Sequence, residues 1–356
     1  MYSTLIMAAK DTVHSAGNTS GTPRCSTCRA LRQRSSRFAV CSLSVVLLCA
    51  VGILLAPATA VSSGFLPGER VLFEAHNAYP YHGLWRNRID NALGTGFPVA
   101  VELDLKWYED ETGDEYKLVL AHHEPLTGRE PTLENYFFER VRPYVEAALE
   151  ADDTTDWPLI TLNINDIRTS RPEAFAEIWR LAETYKEWLC SAEKTAATEE
   201  PAPITLRPIL VLSNGGRLAT RHFYDAVPEG ESLRIFGAGS PDADADNFRR
   251  WINYSWTRVE PEGQPNATPW DDEKADRLQA LVRNAHERGY WIRFYALNGH
   301  GPVAVARLGL NPHYNFGSLE AVKVRWEAAY KAGADFIATD QIIEAREFER
   351  EITADR

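Results

Sequence analysis

The chain has 356 residues, with 38 basic against 50 acidic side chains and a formal net charge of −12. That length allows one large domain or two ordinary ones. The acidic balance excludes a surface built for nucleic-acid phosphates and argues against attachment to an anionic membrane by charge alone.

Residues 1–60 are unlike the rest. They hold six basic residues (Lys10, Arg24, Arg29, Arg32, Arg34 and Arg37) and one acid, Asp11. An uncharged run over residues 38–56 (FAVCSLSVVLLCAVGILLA) follows, closed by Ala58-Thr59-Ala60. That order reads as a secretory signal. The run is also long enough, at about 19 residues, for an uncleaved membrane anchor. Either way the body, residues 61–356, is expected to be exported: secreted, periplasmic, or held at the membrane through residues 38–56. The leader takes 6 of the 38 basic and 1 of the 50 acidic residues, so the body carries a net charge of −17. Four of the five cysteines also lie in the leader, and only Cys190 remains beyond it. No internal disulfide can form, and the core must supply the stability. Cys25-x-x-Cys28 has no second half and reads as incidental rather than as a zinc or redox pair.

Beyond residue 61, short apolar runs alternate with longer amphipathic ones. Strands are expected at residues 71–76, 99–105, 117–122, 159–165, 208–213, 234–237, 290–297 and 335–339, each rich in Val, Ile, Leu or aromatics and bounded by turn residues. Helical spacing of three and four appears at 132–151, 173–190, 272–288 and 318–332, the last closed by Gly333. Alternation of this kind implies parallel βαβ units. Eight strands in about 290 residues fit a single TIM-type (β/α)8 barrel of the α/β class. A doubly wound sheet would want a glycine-rich turn after its first strand, and the sequence there reads HNAYPYHG. Residues 240–270 break the rhythm and are expected to cap one face of the barrel. Within them Asp242-x-Asp244-x-Asp246 lacks the Gly and Glu of a calcium loop and reads as a solvated acidic turn.

Three of the runs carry chemistry at their ends: VLFEAHN (71–77), VAVELDL (99–105) and KLVLAHHE (117–124). Side chains two apart in a strand share a face. Glu102 and Asp104 therefore point one way, as do Glu74 with His76 and Asn163 with Asn165. In a barrel these faces turn inward, and strand ends lie at the catalytic mouth. His76, the Glu102/Asp104 pair and His122 would then meet, with the two asparagine amides nearby. Paired carboxylates repel unless a proton or cation lies between them, and oxygen donors suit Ca2+ or Mg2+. His82, His222, His286, His300 and His313 have no such surroundings and read as ordinary.

These residues resemble the phospholipase C-like phosphodiesterase superfamily. The likeness lies in His76-Asn77, then Glu102-x-Asp104-x-x-Trp107, then His122 followed by Leu126-Thr127. It resembles the catalytic half of metal-dependent phosphatidylinositol-specific phospholipases C. FYALN (294–298) and AGADFIATD (332–340) are similar to glycerophosphodiester phosphodiesterases. The resemblance implies a TIM-type barrel and a Ca2+ or Mg2+ held by Glu102 and Asp104. It also implies that His76 and His122 divide the acid and base roles. Asn77 matches a ligand asparagine of the phospholipase pattern, where the glycerophosphodiesterase pattern has Arg. The carboxylate that the family places on the fourth strand appears here as Asn163 or Asn165, with Asp166 just beyond; Asn165 is taken as the ligand. His123 beside His122 leaves the second histidine open, and the Leu-Thr register favours His122.

The expected function is metal-dependent cleavage of a phosphoric diester, in a phospholipid headgroup or a glycerophosphodiester, with transient membrane contact. Attack by a neighbouring hydroxyl and attack by water both stay open. Two other readings compete. A barrel glycoside hydrolase would use Glu102 with a second acid and stack sugars on Trp107, Trp251, Trp256 and Trp270. A non-catalytic protein on the same barrel would bind a phosphodiester or a metal without turnover.

Overall fold

The computed structural model describes residues 65–80, 87–197 and 199–354, and a compact unit spans Thr59–Arg356. The expected signal or anchor lies outside the described residues. Eight parallel strands close a barrel: β1 (Leu72–Ala75), β2 (Val99–Glu102), β3 (Ile160–Ile164), β4 (Ile209–Ser213), β5 (Phe236–Ala238), β6 (Arg249–Ser255), β7 (Trp291–Tyr295) and β8 (Phe336–Thr339). Each pairs with the next, and β8 closes on β1 through Leu72↔Phe336 and Ala75↔Thr339. The TIM-type architecture expected from the alternation is therefore present.

One expected strand and the expected cap need correction. Residues 117–122 do contain a strand, Tyr116–Leu120, but it lies outside the barrel. It pairs antiparallel with Leu105–Glu109, from Leu105↔Leu120 to Glu109↔Tyr116. The connection between them is six residues long. That suffices for a hairpin, whereas a parallel crossover needs a dozen or more. The missing barrel strand is β6, inside the 240–270 segment expected to act as a cap. Its sequence, RRWINYS, carries polar residues with buried partners: half-buried Asn253 accepts from Arg293 Nη1 at 2.8 Å, and buried Arg250 donates to the carbonyl of Ala202 at 2.9 Å. A pattern reading sees those polar groups as surface; tertiary partners override it.

Strand parity sorts the side chains into two cores. Phe73, Val99, Val101, Ile160, Leu162, Ile292, Phe294 and Ile337 face out into one apolar cluster with the surrounding helices. Leu72, Ala100, Leu210, Phe236, Trp251, Trp291 and Phe336 face in and fill the N-terminal end of the barrel. Above that plug the interior turns polar. Glu74 accepts from Arg293 Nε at 2.7 Å and from Asn163 Nδ2 at 3.2 Å, all three buried. Removing one member of such a buried pair costs about 3–5 kcal/mol, because the other charge stays behind. This layer is the floor beneath the mouth.

The helices follow their sequence signals closely. Leu319–Ala332 starts at Ser318, whose hydroxyl accepts from the Ala321 amide at 3.1 Å, and ends at Gly333 in the left-handed conformation (φ 81°). Asp271 caps Asp272–Glu287 in the same way, through the Lys274 amide at 3.0 Å. Pro302–Leu308 differs: no residue of it is buried, and Val303 is 82% exposed beside the barrel mouth.

Candidate active site

The C-terminal ends of the strands open into a cavity of about 380 Å³, lined among others by His76, Asn77, Glu102, Asp104, His122 and Asn165. All six residues singled out in the sequence thus meet at one place. Asp166, Arg168, Arg293, Tyr295 and Asp340 line it with them.

His76 follows β1 directly. Its Nδ1 lies 2.9 Å from Asp340 Oδ1 and 2.9 Å from Asn77 Nδ2. A carboxylate favours the tautomer in which Nδ1–H donates to it, which leaves Nε2 with its lone pair. Asp340 is itself fixed by Asn298, which donates from Nδ2 to Oδ2 at 2.9 Å and accepts the Asp340 amide at 2.7 Å. Burial raises the Asp340 carboxyl, but the Arg88 guanidinium and the His76 hydrogen bond outweigh it and hold it below the usual carboxylate range. Asn77 takes φ 53°, a left-handed conformation that asparagine tolerates. This turn aims its amide N–H at Glu102 Oε2, 2.7 Å away. The Asn77 side-chain oxygen accepts from the Tyr79 hydroxyl at 3.2 Å.

His122 reaches the mouth because the hairpin folds back over β2. The Ala121 amide donates to the Asp104 carbonyl at 3.2 Å, and His122 Nε2 then lies 3.8 Å from Asp104 Oδ2. Arg168 comes from the extension of β3, where its amide donates to the Leu105 carbonyl at 2.7 Å. Its guanidinium donates to Asp104 Oδ2 at 2.9 Å, to His122 Nε2 at 2.8 Å and to Asp166. Burial, then Arg168, His123 and His76, push the His122 imidazole down to about 4 against the pull of Asp104. His122 is therefore neutral near pH 7.

Glu102, Asp104 and Asp166 form an acidic wall. Burial and the adjacent Asp104 push Glu102 well above the usual carboxylate range, and the same two causes raise Asp166. Carboxylates packed this closely want a proton or a cation between them. Their all-oxygen chemistry fits a hard divalent ion. Among the described residues, no three His, Cys, Asp or Glu groups are already gathered tightly enough to hold one. In the present arrangement Arg168 partly neutralises the wall. Asn163 faces Glu74 rather than the mouth, and Asn165 lines the cavity while its amide donates to Asn163 Oδ1 at 2.9 Å.

Asp340, Asp166, Arg168, Arg293 and Tyr295 are among the cavity residues to which the sequence reading gave no role. Asp340 and its partner Asn298 end the two late motifs quoted above, so the signal was present without its geometry. None of the four tryptophans considered for sugar stacking lines the cavity: Trp251 and Trp256 are fully buried, and Trp107 stacks on Tyr116 in the hairpin. His222, His286, His300 and His313 do not line it either, and His82 lies outside the described residues. His286 Nε2 lies 2.9 Å from Oδ2 of buried Asp335.

Solved structures similar to this chain include the phosphatidylinositol-specific phospholipase C of Listeria monocytogenes, at 12% identity over 81% of this chain and 96% of that one, with a TM-score of 0.47. They include a glycerophosphoryl diester phosphodiesterase of Parabacteroides distasonis, at 15% identity over 80% and 87%, TM-score 0.38. A 7,8-dihydropteroate synthase of Vibrio fischeri is also similar, at 11% identity over 81% and 94%, TM-score 0.34. No protein-family model matches the chain, and no curated protein matches it.

Proposed function

We propose that the chain is a phosphoric diester hydrolase or lyase acting on a phospholipid headgroup or a glycerophosphodiester. The observation that carries this reading is the pair of histidines at one mouth, each held by a different charged partner: His76 by Asp340, His122 by Arg168. One imidazole takes the proton of the attacking hydroxyl, from water or from a neighbouring group of the substrate. As the new P–O bond forms, the bond to the leaving group breaks; the negative charge of a bound diester beside His122 favours its protonated form, and that imidazolium gives the leaving oxygen its proton. Arg168 and Arg293 at the cavity wall oppose the charge of the phosphoryl oxygens. Tyr295 and Tyr314, with ring centroids 6.5 and 6.0 Å from that of His76, bound the space beside the attacking group.

Glu102, Asp104 and Asp166 are the residues that would hold Ca2+ or Mg2+, with the amides of Asn77 and Asn165 alongside. When bound, such an ion offsets negative charge on the phosphoryl group. Binding it requires all three carboxyl groups to be deprotonated. The test is hydrolysis of bis-p-nitrophenyl phosphate and of a glycerophosphodiester by residues 59–356, with EDTA and then with Ca2+ or Mg2+ restored. Loss and recovery of activity support the reading. Activity indifferent to EDTA would leave Arg168 as the charge partner and remove the ion from the proposal. No turnover of any diester would favour the binding-protein reading.

A further inference from the structure

A second cavity lies at the opposite, N-terminal end of the barrel. It measures about 620 Å³, within the roughly 300–1,000 Å³ range of small-molecule sites. Its walls are mostly apolar: Phe65, Leu66, Pro203, Ile204, Leu206 and Trp291. Two buried polar side chains brace it. The Trp291 indole donates to the Phe65 carbonyl at 3.0 Å, and Arg250 bonds the opposite wall at Ala202.

Arg250 is the unusual member. It is 7% exposed, yet no carboxylate among the described residues pairs with it. Its Nε donates to the Asn247 carbonyl at 3.2 Å; its Nη2 donates to the Ala202 carbonyl at 2.9 Å and to Asn247 Oδ1 at 3.0 Å. All three acceptors are neutral, as is the Phe236 ring whose centroid lies 5.7 Å from the guanidinium carbon, and Nη1 has no hydrogen-bond partner among the described residues. Asp246, the acid whose charge reaches Arg250, is engaged elsewhere: it accepts from the amides of Phe248 and Arg249 and from the Arg249 guanidinium. Burial pushes the Arg250 guanidinium down to about 10, with only Asp246 opposing. An unpaired buried cation is costly, and an anion at Nη1 would offset that cost.

We propose that this cavity binds a single-chain amphiphile with a carboxylate head, of the fatty-acid class. The carboxylate pairs with Arg250 and the alkyl chain lies against Phe65, Leu66, Ile204 and Trp291. One open guanidinium edge matches one negative charge, and the apolar lining supplies nothing for a polar tail. The site is remote from the diester chemistry at the other end of the barrel and does not depend on it.

The test is calorimetric titration of residues 59–356 with decanoate, well below its micelle concentration, against decanol as the uncharged match. The proposal expects saturable one-to-one binding of decanoate, at least tenfold weaker binding of decanol, and at least tenfold weaker decanoate binding to Arg250→Gln. Leu66 is 53% exposed, so Leu66→Glu keeps the fold and should also weaken decanoate at least tenfold; it carries the test if Arg250→Gln does not fold. Equal binding of decanoate and decanol, binding untouched by Leu66→Glu, or no binding at all would each overturn the proposal. The last would mean that the cavity is covered by the chain's own residues or stays wet.

Discussion

Asp340→Asn separates the orientation of His76 from its presence. Asparagine keeps one acceptor oxygen where Asp340 uses two, Oδ1 for His76 and Arg88 and Oδ2 for Asn298, and it loses the charge that holds His76 Nδ1 protonated. A wrong or mixed tautomer removes Nε2 as a proton acceptor, which costs about 10²- to 10⁴-fold in kcat. That range corresponds to roughly 3–5 kcal/mol of transition-state stabilisation at about 1.4 kcal/mol per decade. Substrate binding does not use Asp340 directly, so KM should change little. The change also leaves the Arg88 guanidinium buried without its carboxylate 3.3 Å away, for a stability loss of about 3–5 kcal/mol. A domain with roughly 5–15 kcal/mol in hand remains folded. The pH dependence gives a second check. The Asp340 carboxyl is held below its ordinary 3.8 in the folded chain, so its contribution is present above that value and disappears as the pH falls through the lower folded value. The wild type and Asp340→Asn should therefore converge in melting temperature only in strong acid. The assay is steady-state hydrolysis of a diester alongside thermal melts from pH 2 to 8. A folded Asp340→Asn with kcat within about threefold of wild type would refute the reasoning.

Three further outcomes follow from particular groups. His122 titrates near 4 in the folded chain against 6.5 in the unfolded one, so the unfolded state binds more protons between those values and stability falls as the pH drops from 6.5 towards 4. The melting temperature of His122→Ala should fall less over that interval, and an identical decline would contradict the burial of this ring. Cys190 is fully buried, its sulfur bonded to the main chain at Arg207, and burial pushes its thiol up to about 12. Residues 59–356 should give no reaction with a thiol reagent until denatured, when one thiol per chain appears; fast reaction of the native chain would show the core to be open. Residues 299–318 at the mouth contain no Asp or Glu in a strongly acidic protein, and Val303 there is exposed. Val303→Asp should lower hydrolysis of lipid in phosphatidylcholine vesicles about tenfold, the worth of one buried valine, while leaving bis-p-nitrophenyl phosphate unaffected. Equal loss on both substrates would refute contact with the lipid surface.

Much of the site was legible because strand parity is rigid. Once residues 71–76 and 99–105 are strands, His76, Glu102 and Asp104 must face one side, and closure of the barrel brings them together. What sequence could not supply was pairing across long separations. Asp340 lies 264 positions along the chain from His76, and nothing local to either residue names the other. Residues 117–122 misled in a different way: they form a strand, but the short turn at 110–115 commits them to a hairpin. The hairpin still delivers His122 to the mouth, so the site survives an error in the barrel. Strand β6 was hidden because Arg250, buried, and Asn253, half-buried, are held by partners that only the fold brings near.

The most direct measurement is hydrolysis of bis-p-nitrophenyl phosphate by His76→Ala and His122→Ala beside the wild type, with folding checked by thermal melting. The two-histidine site predicts that both variants stay folded and that each loses at least about 10²-fold in kcat. A folded His76→Ala chain with full activity would contradict it.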